Sequence, residues 1–308
     1  MTRILSIGEC MVELAPTDTT GLWRQGIAGD TLNTAWYARA SLPPDWSVDY
    51  ATRLGRDRFS DDIADFLTAN GIGTRHITRD DTRQPGLYAI SLDANGERSF
   101  TYWRGQSAAR ALADDPAPLA RALDGATLAF TSGITLAILP PAGRETLLQS
   151  LAEARSRGTR IAFDPNIRPR LWEDLETARH WITRAAGIAD IVLPSFDDEA
   201  ATFGDPSPEA TRTRYRHAGA TEIVVKNAGR PILWADASAE GHVTDLPTAI
   251  PVDTTGAGDS FNGAYLAARL LGQDIPGSIT AAHAMALRVI AHRGALIPTD
   301  TVSPPCHD

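Results

Sequence analysis

Lysine is nearly absent from this 308-residue chain: Lys226 is its only one, and arginine carries the rest of the basic charge. A codon bias toward arginine accounts for that scarcity, but it makes the position of the single lysine worth following. Cysteine is scarce as well. Cys10 and Cys306 stand at opposite ends of the chain, which argues against a disulfide framework and against a cysteine-rich metal site. Positive charge is in deficit, with 29 Lys and Arg against 38 Asp and Glu and a net charge of −9. That balance argues against nucleic-acid and membrane-surface partners, and any anionic ligand must meet locally concentrated arginine. No apolar run approaches the length needed to cross a bilayer. Residues 1–8 read as a short strand without a cleavage pattern. The expectation is a cytoplasmic protein.

Several signatures of nucleotide and hydrolase chemistry are missing too. No Gly-x-x-x-x-Gly-Lys-Ser/Thr occurs, and Lys226 lies outside any glycine loop that opens a helix, which disfavours a Walker-type site. No Gly-x-Gly-x-x-Gly follows the first strand, and no Gly-x-Ser-x-Gly is found, which disfavours a dinucleotide site and a nucleophile-elbow hydrolase. The histidines show no metal spacing.

What is present reads as one α/β domain. Hydrophobic content of 43% and charged content of 22% suit a globular chain with a sizeable core. Short apolar runs predict strands at 3–7, 11–14, 50–54, 126–130, 160–163, 191–193 and 222–225. Helices are predicted from the 29–33 cluster through Arg39, from Asp57 to Asn70, and over 143–157, 175–186, 209–219, 261–271 and 275–291. Period-two alternation at 86–92 and 98–103, around a turn-favouring Asn95-Gly96, predicts a hairpin, and a second hairpin is predicted over 232–234 and 242–246. Alternation of strands and helices beyond residue 126 implies a mostly parallel sheet with helices on both faces. The early β-rich part is an excursion from that domain.

The stretch Val252-Asp253-Thr254-Thr255-Gly256-Ala257-Gly258-Asp259-Ser260-Phe261 reads as a glycine turn opening an Ala- and Leu-rich helix. Free amides and the positive dipole end at such a place attract phosphate. Asp259 is a carboxylate set where an anion would otherwise be welcome. On these residues alone two readings stay open: a helix cap after a flexible turn, or a base that accepts a proton from the group attacking a phosphate.

Four more segments fall at predicted strand ends, where ligands sit in open α/β sheets. Gly29-Asp30-Thr31-Leu32-Asn33 is a polar cluster at a helix start, which simple capping also explains. Tyr102-Trp103-Arg104 ends a hairpin strand, with Tyr102 and Arg104 on one face and Trp103 on the other. Phe163-Asp164-Pro165-Asn166-Ile167-Arg168-Pro169-Arg170-Leu171-Trp172 fixes two arginines between prolines, as a stiff anion grip would. Pro194-Ser195-Phe196-Asp197-Asp198-Glu199 carries three acids that suit either Mg²⁺ near phosphates or a helix dipole. Together these are the parts needed for phosphoryl transfer from a nucleotide to a hydroxyl.

The 253–261 motif resembles the C-terminal signature of the ribokinase-like (PfkB) carbohydrate kinases, and the likeness covers nearly the whole chain. Within that family the chain is most similar to the branch acting on 2-dehydro-3-deoxygluconate. The residues behind this are Gly8-Glu9-Cys10-Met11-Val12-Glu13-Leu14, Gly29-Asp30-Thr31-Leu32-Asn33-Thr34, Pro85-Gly86-Leu87-Tyr88, Tyr102-Trp103-Arg104, Ser132-Gly133-Ile134 and Arg168-Pro169-Arg170-Leu171-Trp172. The resemblance implies a three-layer α/β/α domain over 1–308 with a small β lid near 11–28 and 84–104. The exposed edges of those lid strands offer pairing between subunits, so a homo-oligomer formed through the lid is expected. It implies ATP as donor, a small sugar acid as acceptor, and phosphorylation at its C6 hydroxyl.

By the same resemblance Asp259 is the general base, and the amides of Gly256, Ala257 and Gly258 form an anion hole. Gly29, Asp30, Thr31, Leu32, Asn33, Tyr88, Tyr102, Trp103, Arg104 and Arg168 would hold the substrate. Asn166, Arg168, Ser195, Lys226, Gly229, Thr255, Gly256 and Gly258 would contact ATP. Asp253 and Thr255 match positions that bind a monovalent cation in some relatives, which adds K⁺ conditionally to ATP and Mg²⁺. Where the family often has Asn-x-x-Glu, this chain has Ser195-Phe196-Asp197-Asp198, so the Mg²⁺ role stays open between Asp198 and Glu199. The physical case for an acid acceptor rests on Arg104 and Arg168, because a carboxylate needs fixed cations and a neutral sugar does not. The alternatives are a same-fold kinase for fructose, ribose or 5-dehydro-2-deoxygluconate, and a non-catalytic sugar-acid sensor.

Overall fold

The computed structural model describes residues 2–19, 21–92 and 98–298. The first half runs β1 (Arg3–Ile7), β2 (Met11–Pro16), β3 (Trp23–Ala28), α1 (Asp30–Ser41), β4 (Ser47–Leu54), α2 (Arg58–Ala69), β5 (Ile72–Arg79), β6 (Gly86–Leu92), β7 (Arg98–Trp103), α3 (Pro116–Leu123), β8 (Leu128–Ser132), α4 (Gly133–Ile138) and α5 (Pro141–Ser156). The second half runs β9 (Arg160–Asp164), α6 (Leu175–Ile188), β10 (Ile191–Val192), α7 (Phe196–Phe203), α8 (Pro208–Ala218), β11 (Glu222–Val225), β12 (Ile232–Ala235), β13 (Glu240–Val243), α9 (Ala257–Leu270) and α10 (Ile275–Ile290).

The large sheet has the order β13-β12-β11-β10-β9-β8-β1-β4-β5. Its strands from β11 to β5 pair in parallel, and β12 and β13 extend one edge antiparallel. The short apolar strands are buried on both faces, which is why they read as continuous hydrophobic runs. Successive residues nonetheless face different layers. Ile4, Phe130, Ala162 and Val224 pack in one core with α1, α9 and α10, whereas Leu5, Ala129, Ile161, Phe163 and Ile223 pack in another with α3, α5, α6 and α8. The result is the three-layer α/β/α architecture that the sequence predicts. Strand order reverses between β1 and β8, and such a reversal opens a crevice beyond the carboxyl ends of the strands.

A second sheet, β3-β2-β6-β7, leaves the main domain after β1 and again after β5. β2 pairs parallel with β6, while β3 and β7 run antiparallel on the two outer edges. It is built from the segments that the resemblance assigns to a lid. Met11, Ala15, Ala28, Tyr88 and Ile90 form its own small core, joined by Ala295 of the main domain.

Some elements differ from the sequence reading. β3 and β5 were not foreseen: Trp23-Arg24-Gln25-Gly26-Ile27-Ala28 and Ile72-Gly73-Thr74-Arg75-His76-Ile77-Thr78-Arg79 lie on sheet edges, half-wetted, and carry no clean alternation. α3, α4 and α7 were missed because they span only 8, 6 and 8 residues, too short for a helical period. β8 begins two residues later than predicted, because Ala126 and Thr127 are used in the turn that brings the Thr127 amide to the Arg3 carbonyl at 2.9 Å. The Asn95-Gly96 turn and Cys306 lie outside the described residues. Among the described residues no helix is long and apolar enough to cross a membrane.

Candidate active site

A cleft of about 860 Å³ lies between the small sheet and the carboxyl ends of the large one. Its floor is the start of α9. Gly256 has φ 78°, and a Cβ there would stand 2.8 Å from the Ala295 carbonyl oxygen, so both the backbone conformation and the space require glycine. The Ala257 amide is turned back to the Thr254 carbonyl at 3.2 Å. Gly256, Ala257 and Gly258 of the expected anion hole all line the cleft, and the Gly258 and Asp259 amides, at the second and third helical positions, have no acceptor within the helix.

Asp253 braces this turn from below. Its Oδ1 accepts from the Thr255 amide at 3.0 Å and the Thr255 hydroxyl at 2.7 Å, and its Oδ2 accepts from the Gly294 amide at 2.6 Å. Arg98 of β7 completes the shell with an ion pair at 2.5 Å. Burial raises the Asp253 pKa, but the Gly294 and Thr255 hydrogen bonds and the Arg98 charge outweigh that and hold it below the usual carboxylate range.

Asp259 faces the cleft. Its Oδ2 accepts from Asn33 Nδ2 at 2.8 Å, and Asn33 is itself set by the first turn of α1, where its amide donates to the Gly29 carbonyl at 2.7 Å. Burial, then the neighbouring Asp30 charge, push the Asp259 carboxyl up to about 7, against the pull of the Asn33 hydrogen bond. Asp30 is also raised, chiefly by burial, although Ser132, Asn166 and the Arg104 charge oppose it. Asn166 reaches it from the β9 loop with Nδ2 at 2.9 Å from Asp30 Oδ2, from a left-handed backbone at φ 33°. Two close carboxylates, each held at one oxygen by an amide side chain, make a poised proton acceptor.

Lys226, at the end of β11, stands on the cleft wall. Its ammonium lies 2.9 Å from Asp164 Oδ2 and 3.1 Å from Asn262 Oδ1, and Asn262 Nδ2 closes the triangle at 2.6 Å from Asp164 Oδ2. Asp164 was quoted in the sequence without a role and Asn262 was not singled out at all. Three residues from β9, β11 and α9 meet only in the fold, so no local signal links them. Ser195 is bridged to Lys226 and lines the same wall.

The arginines are less free than their sequence spacing implied. Arg104 forms an ion pair with the buried Glu9, yet its Nε is buried and has no hydrogen-bond partner. Tyr102 lies under its guanidinium at 5.9 Å and next to Tyr88, whose hydroxyl donates to Glu13. Arg168 pairs with Asp198 at 3.1 Å. Asp198 is raised by burial despite Arg168. Arg170, which also lines the cleft, is exposed and has no ion pair among the described residues.

Several predicted site residues do not reach the cleft. Thr31 is buried against the Tyr50 hydroxyl at 2.8 Å, and Leu32 is fully in the core, because the helical turn that presents Asp30 and Asn33 points these two inward. Trp103 is 60% exposed on the other face of β7, as strand alternation requires. Glu199 is sealed inside by Tyr215 at 2.9 Å and Arg214 at 2.6 Å, so it is excluded as a metal ligand at the cleft. Gly229 sits in the β11–β12 turn at φ 78°, outside the lining. Gly29, Asp30, Asn33, Tyr88, Tyr102, Arg104, Asn166, Arg168, Ser195, Lys226, Thr255, Gly256, Gly258 and Asp259 do line it.

Comparison with known proteins agrees with this fold. The family model for pfkB family carbohydrate kinases matches residues 1–302. A 2-dehydro-3-deoxygluconokinase of Haemophilus influenzae is 38% identical, over 98% of this chain and 98% of its own. A PfkB protein from Polaromonas sp. JS666 superposes with a TM-score of 0.80 at 26% identity, covering 94% of this chain and 96% of that one. A fructokinase from Vibrio cholerae O395, in its fructose, ADP and calcium ion bound form, does so with a TM-score of 0.82 at 24% identity, covering 96% and 94%. The chain belongs to the pfkB family of carbohydrate kinases.

Proposed function

We propose that this kinase transfers the γ-phosphoryl group of ATP to the C6 hydroxyl of 2-dehydro-3-deoxy-D-gluconate, giving 2-dehydro-3-deoxy-6-phosphogluconate. The observation that carries the reaction type is Asp259, a cleft-facing carboxylate fixed by Asn33 beside unpaired helix N-terminal amides. With Oδ2 held by Asn33, Oδ1 is left to accept the proton as the C6 oxygen attacks phosphorus. The Gly258 and Asp259 amides then face the charge that develops on the transferring group. Transfer is direct and in line, with no covalent enzyme intermediate.

The choice of a sugar acid rests on the arginines and on the named relative. The orphaned Nε of Arg104, the Arg168 guanidinium and the unpaired Arg170 supply donors for a carboxylate. Tyr88 and Tyr102 give the aromatic wall for the carbon chain. Lys226 and Asn166, both lining the cleft, would contact the phosphates of ATP. The donor set fits Mg²⁺, which binds mainly phosphate oxygens and water and needs only one or two carboxylates. Asp164, on the cleft wall, and Asp198, paired with Arg168, are the carboxylates that would hold it, and it would supply neutralisation of phosphate charge.

A neutral hexose such as fructose is the runner-up acceptor, because Glu9 already balances Arg104. Steady-state ADP release with 2-dehydro-3-deoxygluconate, its galacto epimer, gluconate, fructose and ribose separates these readings. The keto acid is expected to lead in kcat/KM by at least tenfold. A higher value for fructose or ribose would replace the acceptor, and binding of the acid without ADP formation would make the protein a sensor.

A further inference from the structure

We propose that Arg98 is a built-in cation, whose guanidinium takes the place between Asp253 and Thr255 that a monovalent metal ion would need and so holds the catalytic turn without one. Asp253 is only 7% exposed, and both of its oxygens are already occupied. Oδ1 is filled by the Thr255 amide and hydroxyl, and Oδ2 by the Gly294 amide and by Arg98 at 2.5 Å. The Thr255 hydroxyl, which donates to Asp253, accepts from Arg98 Nη1 at 3.1 Å. The guanidinium thus bridges the two side chains that precede Gly256 in the turn. A metal ion set between the same oxygens would lie a few ångströms from a fixed positive charge, in a site with little water to screen it. The ion and the arginine exclude each other, and the residues present do not fit K⁺.

The arginine does one thing an ion could not. It arrives from β7, the outer strand of the small sheet, so it ties that sheet to the turn that carries the Gly258 and Asp259 amides. Arg98 is therefore a positioning residue for phosphoryl transfer. It also lines the cleft, but its ion pair and hydrogen bond go to Asp253 and Thr255, through which it acts.

The test compares KCl, NaCl and choline chloride at equal ionic strength. The parent protein is expected to keep kcat within twofold, and the same melting temperature, in all three salts. In Arg98→Ala the carboxylate loses its partner, and kcat in choline chloride is expected to fall tenfold or more. KCl or NaCl should then restore much of it and raise the melting temperature above that in choline chloride. Arg98→Lys, which keeps a cation, should remain salt-independent. A parent protein activated severalfold by K⁺, or an Arg98→Ala protein with full kcat in choline chloride, would overturn the proposal. Should Arg98→Ala not fold, the parent and Arg98→Lys salt series still decide the matter. The melting arm needs no acceptor, so a wrong sugar assignment fails separately from this one.

Discussion

Replacing Asp259 by Asn removes the base while keeping its shape, and it should make the protein both inactive and more stable. Asn33 Nδ2 can donate to the new side-chain carbonyl as it does now to Asp259 Oδ2 at 2.8 Å, so the geometry survives. Loss of a positioned general base costs about 10²–10⁴ in rate, with ATP binding retained. The stability gain comes from the same burial and Asp30 repulsion that lift the Asp259 carboxyl from 3.8 to about 7. A raised folded-state value means that folding favours the protonated form. The contribution is complete below about 4 and is lost as pH rises through about 7, so above 7 the folded protein carries the cost of an ionised carboxylate. That separation corresponds to on the order of 4 kcal/mol. Asp259 opens on the cleft and is partly solvated, so about half of that, ~2 kcal/mol, is expected. A chain of this size should then melt roughly 3 °C higher at pH 8, with the difference shrinking toward zero near pH 4. Thermal melts of parent and Asp259→Asn across that range, alongside kcat, provide the assay. In the parent, kcat/KM should fall as pH drops below about 7. A variant no more stable than the parent at pH 8, or one with kcat within tenfold of it, would refute the reasoning.

The other predictions concern the charged walls of the cleft. Arg168→Ala and Arg170→Ala should each raise KM for the sugar acid about tenfold to hundredfold, the effect of losing a charge-assisted bond of roughly 1.5–3 kcal/mol, with smaller changes in kcat. An unchanged KM would remove that residue from the acceptor site. Lys226→Met should strand the buried Asp164 carboxylate and cost on the order of 3–5 kcal/mol, read as a lower urea midpoint. A midpoint equal to the parent's would show that Asn262 alone satisfies Asp164.

The parts of the fold and site written in local sequence were legible, and those made by tertiary pairing were not. β6, β7 and β11 appear at the residues predicted, because strict alternation or a short apolar run between turn residues leaves one reading. The glycine turn was legible for a similar reason, since φ 78° at Gly256 against the Ala295 backbone admits no side chain. By contrast, Glu199 and Asp198 are adjacent and chemically alike, and only the packing of α8 shows that Arg214 and Tyr215 claim one of them. Arg104 read as a cation for a carboxylate acceptor because nothing in the sequence links it to Glu9, just after β1. The single lysine was weighed mostly as codon bias; in the fold it stands on the cleft wall, bonded to Asp164 and Asn262.

The most direct test of the account is the position of the new phosphate on the product. The protein is incubated with ATP, Mg²⁺ and ¹³C-labelled 2-dehydro-3-deoxygluconate, and the product is examined for carbon–phosphorus coupling by NMR. The account predicts coupling at C6 and C5, with one ADP formed per acceptor consumed and none formed by Asp259→Asn. Coupling at another carbon, or equal ADP formation by that variant, would contradict it.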